Sequence, residues 1–272
     1  MTIRIGKLIG IPIKIDISWL VAFILIVYSL AKGYFQTMYQ EFTPTMDWVG
    51  GIVAALLLFA SVLLHELMHS YVAIKNGLPV GGITLFIFGG ISQLNEEPRT
   101  PEVELKMALA GPATSLVLGG AILLLMRVSG MPHNTLWAAI LGYLGLINVM
   151  LGVFNLIPGF PLDGGRVLRA ILWGTMNNLD RATKIASTVG QGFGYLFIIG
   201  GLGIMLTGQV VSGLWLLFIG WFLNNAAQQS YQQSVLRKAL SGVDVHTVMT
   251  TDYPHVDPDT TIDQFVHDYL LK

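Results

Sequence analysis

The hydrophobic positions of this chain fall into long continuous runs, which polar residues interrupt only at the ends. A helix needs about 20 mostly apolar residues to cross a bilayer. We predict transmembrane helices at Ile17–Ala31, Trp48–Ile74, Lys106–Val128, Thr135–Ile157, Gly190–Thr207 and Val210–Ala227. The expected fold is therefore an all-α polytopic membrane protein with about six transmembrane helices.

Two stretches follow a different period. Ile9, Ile11, Ile13 and Ile15 alternate with other residues, which is the period of a β-strand. The segment 80–94 is rich in β-branched residues and broken by two glycines, as in a hairpin. We expect a small membrane-associated sheet or hairpin on the cytoplasmic side. The alternative is a loop that covers the helix ends.

The distribution of positive charge predicts the orientation of the chain. If the N-terminus is cytoplasmic, every lysine and arginine except Lys32 and Arg127 lies on the cytoplasmic side of the six helices. Cytoplasmic loops carry an excess of such residues. We therefore predict a multi-pass membrane protein with both termini in the cytoplasm.

The composition agrees with membrane insertion and excludes several kinds of binding site. Hydrophobic residues make up 53% of the 272 residues, and charged residues only 11%, whereas soluble domains carry about 25% charged residues. A net charge of -1 provides no basic surface for nucleic acid. The absence of cysteine excludes disulfides and thiolate zinc sites, and the N-terminus lacks the pattern of a cleavable signal peptide.

Three ionisable residues lie inside the second apolar run. Such residues are costly in hydrocarbon and usually mark a functional site. On a helix, His65 and His69 share one face, and Glu66 lies about 100° around the axis from His65. This HExxH arrangement places two imidazoles on a zinc ion and a general base beside it. A catalytic zinc takes a third protein ligand and keeps one position open.

The third ligand is predicted to be Asp163, in the segment "NLIPGFPLDGG" after the fourth apolar run. Two prolines should break the helix near Asn155 and place Asp163 in a loop, followed by a glycine turn and an amphipathic helix from Arg166. Asp163 is alternatively an N-cap of that helix. Asn155 either assists catalysis or satisfies a backbone group that Pro158 leaves free.

We expect the remaining polar residues and glycines of interest to have structural roles. Asp16 is expected to cap the first helix. The glycines between Gly190 and Gly203 are expected to allow close helix packing. The other histidines are interpreted as ordinary surface residues; they are His133, His246, His255 and His267.

With these motifs in place, the sequence resembles the site-2 proteases, which are intramembrane zinc metalloproteases. The resemblance rests on HELMH at 65–69, on the N-x-x-P-x-x-P-x-D-G pattern that starts at Asn155, and on "LAGPATSLVLG" at 109–119. Ser115 stands where many members have asparagine, so it receives no role. The resemblance implies one catalytic Zn²⁺ per chain, bound by His65, His69 and Asp163. It further implies cleavage of a single-span membrane protein, such as an anti-sigma factor or another membrane-tethered regulator.

The C-terminal part is polar and resembles the beginning of a CBS (cystathionine-β-synthase) domain, in "VMT" at 248–250 and the residues that follow. We predict a transmembrane metalloprotease domain at 1–230, a linker at 231–243 and a partial, cytoplasmic CBS domain at 244–272. A half-unit buries too little core to be stable alone, so nucleotide binding is expected only with a complete CBS domain.

Two other functions remain open at this stage. Buried ionisable residues also occur in metal-binding transporters, although these often carry inverted repeats, which we do not find. An inactive scaffold of the same fold is the other alternative. The oligomeric state does not follow from the sequence.

Overall fold

A computed structural model describes residues 2–87, 89–132, 134–240, 244, 246, 249–250, 256 and 259–270. The chain divides into two compact units, Met1–Gln232 and Gln233–Lys272. His133, His255 and two residues of the CBS resemblance, Val248 and Pro258, lie outside the described residues.

The first unit is built from long helices. Six are long and apolar enough to cross a membrane, which confirms the predicted fold class. The first of them is α1 (Ile17–Ser29), which continues through a π-helical segment (Leu30–Phe35) into α2 (Gln36–Met38). The others are α3 (Pro44–Lys75), α4 (Pro101–Ser129), α5 (Leu136–Asn155), α7 (Leu179–Leu206) and α8 (Val210–Leu240), and a shorter helix, α6 (Asp163–Met176), precedes α7.

Most of these helices extend beyond the predicted apolar runs because their ends are fixed by capping residues. Thr43 caps α3 and Thr100 caps α4, each by accepting a hydrogen bond from a backbone N–H of the first turn. A proline follows each cap at the first helical position, where it has no N–H to lose. A prediction from hydropathy alone misses these first turns, because they are polar.

The predicted sheet is present and has four strands. They are β1 (Thr2–Leu8), β2 (Ile11–Asp16), β3 (Val80–Phe86) and β4 (Gly89–Leu94), in that spatial order. Antiparallel hairpins form its two halves, and β2 pairs with β3 in parallel. Ile11 and Ile83 pack against Leu67 of α3, so this sheet covers the same helix that carries the histidines.

Helix α3 lies at the centre of the first unit. Its Ala54 and Ala55 pack against Phe35 and against Ile140 of α5, and farther along the helix Ala73 packs against Met107 of α4. Small residues on α3 let the neighbouring helices approach closely. The histidines are therefore held on a helix that the rest of the unit encloses on several sides.

The segment between α5 and α6 differs from the prediction in one respect. Helix α5 ends at Asn155, as predicted, but Asp163 is the first residue of α6 and does not lie in a loop. The glycines Gly164 and Gly165 are helical. A Cβ on either would collide with backbone atoms of residues 156–160, so these glycines allow the preceding segment to fold tightly against α6.

Helices α7 and α8 approach each other at glycines. A Cβ on Gly194 would lie 2.9 Å from the carbonyl oxygen of Gly220, and one on Gly201 would lie 2.7 Å from that of Gly213. These contacts are the close packing expected of the glycine-rich segment.

In the second unit the described residues include a short helix, Ile262–Phe265. Thr261 and Gln264 form a capping box at its start. A π-helical turn, Val266–Leu270, follows.

Candidate metal and catalytic centre

The two histidines of α3 point to the same place, and each is fixed through its other ring nitrogen. The two Nε2 atoms lie 3.2 Å apart. Nδ1 of His65 lies 2.9 Å from Oγ of Ser115, and Nδ1 of His69 lies 2.6 Å from the carbonyl oxygen of Met107. Both partners belong to α4. Such outer hydrogen bonds fix the tautomer and the orientation of a metal-binding imidazole.

Helix α6 brings Asp163 to the same point. Its Oδ2 lies 3.1 Å from Nε2 of His65 and 3.1 Å from Nε2 of His69. Burial opposes ionisation of this carboxyl group, but the hydrogen bonds with both histidines outweigh burial and hold its pKa below its usual range. A carboxyl group binds a metal in its ionised form. Asp163 does not cap α6, since the capping position is Leu162.

The geometry of these three atoms fits a zinc ion. They form a nearly equilateral triangle with sides of 3.1–3.2 Å. Ligand atoms of a tetrahedral site with bonds of about 2.0–2.2 Å lie about 3.3–3.5 Å apart. Two neutral imidazoles and a carboxylate are also ligands that zinc accepts.

Gly111 of α4 keeps the space in front of the triangle open. A Cβ at this position would collide with Nε2 of both histidines. Only glycine, whose side chain is a single hydrogen atom, avoids these collisions. Gly111 belongs to "LAGPATS", the segment that the sequence analysis noted for resemblance alone, so its local role was missed.

Glu66 lies in the same cavity as the triangle. The cavity has a volume of about 390 Å³, and strand β4 forms one wall of it through Gly89, Gly90, Ile91 and Ser92. Gly90 packs directly on Glu66, because a Cβ there would lie 2.5 Å from its Cγ. The Glu66 carboxylate therefore lies beside the triangle of His65, His69 and Asp163, where it can exchange a proton with a water molecule in the cavity.

Polar residues of α5 and α6 also line the cavity. They are Asn155, Asp163 and Arg166. The amide nitrogen of Asn155 donates to the carbonyl oxygen of Leu151 at 3.0 Å, one turn back in its own helix. Arg166 was absent from the predicted site. It lines the cavity without a hydrogen bond or ion pair to any residue in the described part of the chain.

Ser115 was assigned no role from the sequence, yet it contacts a residue of the site. It is 1% exposed, and its hydroxyl faces His65. The signal that could have indicated this role is its position: Ser115 lies four residues after Gly111, so both residues are on the same face of α4.

A buried ion pair fixes α6 on α4. Nε of Arg169 donates to Oε1 of Glu104 at 2.7 Å, and a second guanidinium nitrogen contacts the same oxygen. Glu104 is fully buried, and the guanidinium also lies over the ring of Phe160. Asp163 is on the same short helix, so this pair helps to set the position of its carboxylate.

Comparisons with known proteins agree with this site. The sequence profile described as peptidase family M50 matches residues 53–132 and 126–197, which include both motifs. The chain belongs to peptidase family M50. A zinc metalloprotease of Methanocaldococcus jannaschii is 33% identical over 276 residues, which cover 100% of this chain and 72% of the relative. A protein of Synechocystis, also named as a zinc metalloprotease, is 40% identical over 99% of this chain and 70% of its own length.

A solved structure extends the similarity to the fold. The site-2 protease from Methanocaldococcus jannaschii superposes with a TM-score of 0.58 at 33% identity, over 85% of this chain and 95% of that chain. The resemblance to site-2 proteases is thus confirmed. This M50 chain is a multi-pass membrane zinc metalloprotease, and the comparisons favour this function over a transporter.

Proposed function

We propose that His65, His69 and Asp163 bind the catalytic zinc and that Glu66 is the general base. The observation that carries this proposal is the triangle of three ligand atoms with Glu66 in the same cavity. Zinc supplies Lewis-acid chemistry: it lowers the pKa of a bound water and polarises a carbonyl group. Ser115 and the Met107 carbonyl orient the two imidazoles.

Glu66 is the proton carrier of the reaction. It accepts a proton from the attacking water as the oxygen–carbon bond forms. It then delivers that proton to the amine nitrogen as the peptide bond breaks. Asn155 is proposed to assist the developing oxyanion. The amide nitrogen donates one of its two N–H groups to the carbonyl oxygen of Leu151, which leaves the second N–H for the oxyanion.

The substrate is proposed to be a single-span membrane protein, such as an anti-sigma factor or another membrane-tethered regulator, cut within or near its transmembrane segment. The enzyme would lie in the cell membrane of a bacterium or archaeon with both termini cytoplasmic. In this proposal residues 1–230 carry proteolysis, 231–243 form a linker and 244–272 are part of a CBS domain. The apolar helices, the charge distribution and the family membership support this assignment.

A helical substrate hides its peptide bonds, so it must unwind before cleavage. Unwinding frees backbone groups that hydrocarbon cannot satisfy. Strand β4 can provide hydrogen bonds for these backbone groups, because it is an edge strand and its residues 89–92 line the cavity. An unwound substrate can pair with this edge by strand addition.

Only half of the backbone groups of an added strand point toward β4; the other half point away from it. Arg166, which lines the same cavity, supplies five N–H donors, and none of them is used within the described chain. We assign Arg166 to substrate carbonyl groups that face away from β4. Replacement by Gln should raise KM more than it lowers kcat, with zinc retained.

The strand-addition step is tested by proline at Ile91 of β4, which pairs with Thr84 of β3. The expected result is impaired cleavage with normal zinc content. The matched control is Ile5→Pro in β1, the other edge strand, where the register shifts between Arg4 and Gly6. Ile87→Pro is a poorer test, because Ile87 lies before β4 and its N–H donates to Ser18. Unchanged turnover in Ile91→Pro would argue against strand addition.

A further inference from the structure

The outer face of the first hairpin concentrates positive charge. Arg4 and Lys14 are register partners across β1 and β2, and Lys7 pairs with Pro12. Lys14 and Pro12 share one face of β2 by alternation, and directly paired residues share a face, so Arg4, Lys7 and Lys14 lie on one face of the hairpin. The register shift between Arg4 and Gly6 is what brings Lys7 to the face of Arg4. The other face carries Ile11 and Ile13, which are buried.

This arrangement is unfavourable without a counter-ion. Like charges placed directly opposite each other in an antiparallel pair destabilise it. No acid in the described part of the chain forms an ion pair with these three cations. Asp16 shares their face, but its carboxylate accepts hydrogen bonds from the backbone and hydroxyl of Ser18 as the cap of α1.

A second observation places this face beside lipid. Helix α1 begins at Ile17, immediately after β2, and its outward residues Ile17, Leu20 and Ile24 are at least half exposed. In a membrane-spanning helix such residues face lipid tails. Lys14 is three residues earlier, about 10 Å along an extended chain. It therefore lies within reach of the headgroup layer, which is roughly 5–8 Å thick.

The apolar residues of the same hairpin also lack protein cover. Ile3, Ile5 and Ile9 are each more than half exposed. Ile9 occupies the left-handed turn position with φ 51°, where a β-branched residue is strained. An exposed isoleucine in a position that suits glycine or asparagine gains stability only if lipid or protein covers it.

We propose that the outer face of the β1–β2 hairpin binds the phosphate groups of anionic phospholipids through Arg4, Lys7 and Lys14. The exposed isoleucines of the hairpin, of which Ile3 lies on the opposite face as the partner of Ile15, contact acyl chains of the surrounding lipids. The site is separate from the catalytic cavity, and the proposal does not depend on the proteolytic reaction.

The binding test uses the full chain in detergent, titrated with phosphatidylglycerol or with phosphatidylcholine, and counts retained lipids by native mass spectrometry. A basic residue near an anionic surface is worth about fivefold in affinity. The variant with Arg4→Gln, Lys7→Gln and Lys14→Gln should bind phosphatidylglycerol on the order of 100-fold more weakly. The matched control is Lys32→Gln with Arg127→Gln, cations outside this face, which should bind like the unaltered chain.

Thermal unfolding supplies a second readout, in which the triple variant gains stability although it loses lipid binding. In lipid-free detergent the triple variant should melt higher than the unaltered chain, because the repulsion between Arg4 and Lys14 is removed. Phosphatidylglycerol should raise the Tm of the unaltered chain and leave that of the triple variant unchanged. A variant with Lys7→Arg and Lys14→Arg keeps the charges and should keep both effects.

Three results would overturn the proposal. They are equal retention of phosphatidylglycerol by the triple variant, equal retention of phosphatidylcholine and phosphatidylglycerol by the unaltered chain, and a Tm rise of the same size with glycerol phosphate. The last result would identify a site for a soluble phosphate rather than a lipid.

Discussion

The hydroxyl of Ser115 lies 2.9 Å from Nδ1 of His65, on the side of the ring that faces away from Asp163. Helix α4 therefore orients a histidine of α3. The contact gives a first prediction, since removal of a hydrogen bond to a metal-binding histidine typically costs 10–100-fold in metal affinity or activity. Ser115→Ala should show such a loss of zinc affinity, measured by competition with a chelator.

Two variants serve as controls for that loss. Ser115→Asn keeps a hydrogen-bonding side chain and should retain more zinc than Ser115→Ala. Thr114→Ala removes the neighbouring hydroxyl, which donates to the carbonyl oxygen of Ala110, and should retain zinc like the unaltered chain. Equal affinity in Ser115→Ala and Thr114→Ala would show that Ser115 does not orient His65.

Gly111 provides a second prediction. Gly111→Ala should abolish zinc binding, because the new methyl group occupies the space in front of Nε2 of His65 and His69. Alanine is the better helix former by about 1 kcal/mol, so loss of zinc without loss of helix is the expected signature. Zinc per chain and circular dichroism measure the two effects.

The same helix offers the control for Gly111. A Cβ on Gly120 meets nothing within 4 Å, so Gly120→Ala should bind zinc normally. Zinc retained by Gly111→Ala at one ion per chain would contradict the assigned position of the metal site.

The ion pair between Glu104 and Arg169 gives a third prediction. Arg169→Met leaves a buried carboxylate without its partner, which typically costs about 3–5 kcal/mol of stability. Thermal unfolding should show this loss, and a second change, Glu104→Leu, should restore part of it. The exposed pair between Arg99 and Glu96 is the comparison, since Arg99→Gln should cost at most about 1 kcal/mol. A similar small effect in both variants would mean that the buried pair does not hold α6.

The sequence predicts the parts of the site that have a fixed spacing. His65, Glu66 and His69 belong to one helix, so their geometry follows from the helical period. Asp163 could be selected because two prolines and two glycines shape the segment before and around it. The alternation of Ile11, Ile13 and Ile15 likewise predicted β2, whose buried face the structure shows.

Other contacts could not be predicted because they join distant parts of the chain. Ser115 and Gly111 act across the interface of α3 and α4, and no local pattern reports which residue faces which histidine. From the sequence Arg166 is only part of an amphipathic helix, and its place in the cavity follows from the packing of distant segments. Asp163 was predicted in a loop because glycines favour turns, whereas here Gly164 and Gly165 serve close packing.

The central claim is that His65, His69 and Asp163 hold zinc while Glu66 moves the proton. The most direct test measures zinc stoichiometry and cleavage together, with the chain and a panel of single-span substrates reconstituted in liposomes. The unaltered chain should bind one zinc and cut a substrate, Glu66→Gln should keep zinc and lose cleavage, and Asp163→Asn should lose zinc affinity. Cleavage at the normal rate by Glu66→Gln, or no zinc in the unaltered chain, would contradict the account.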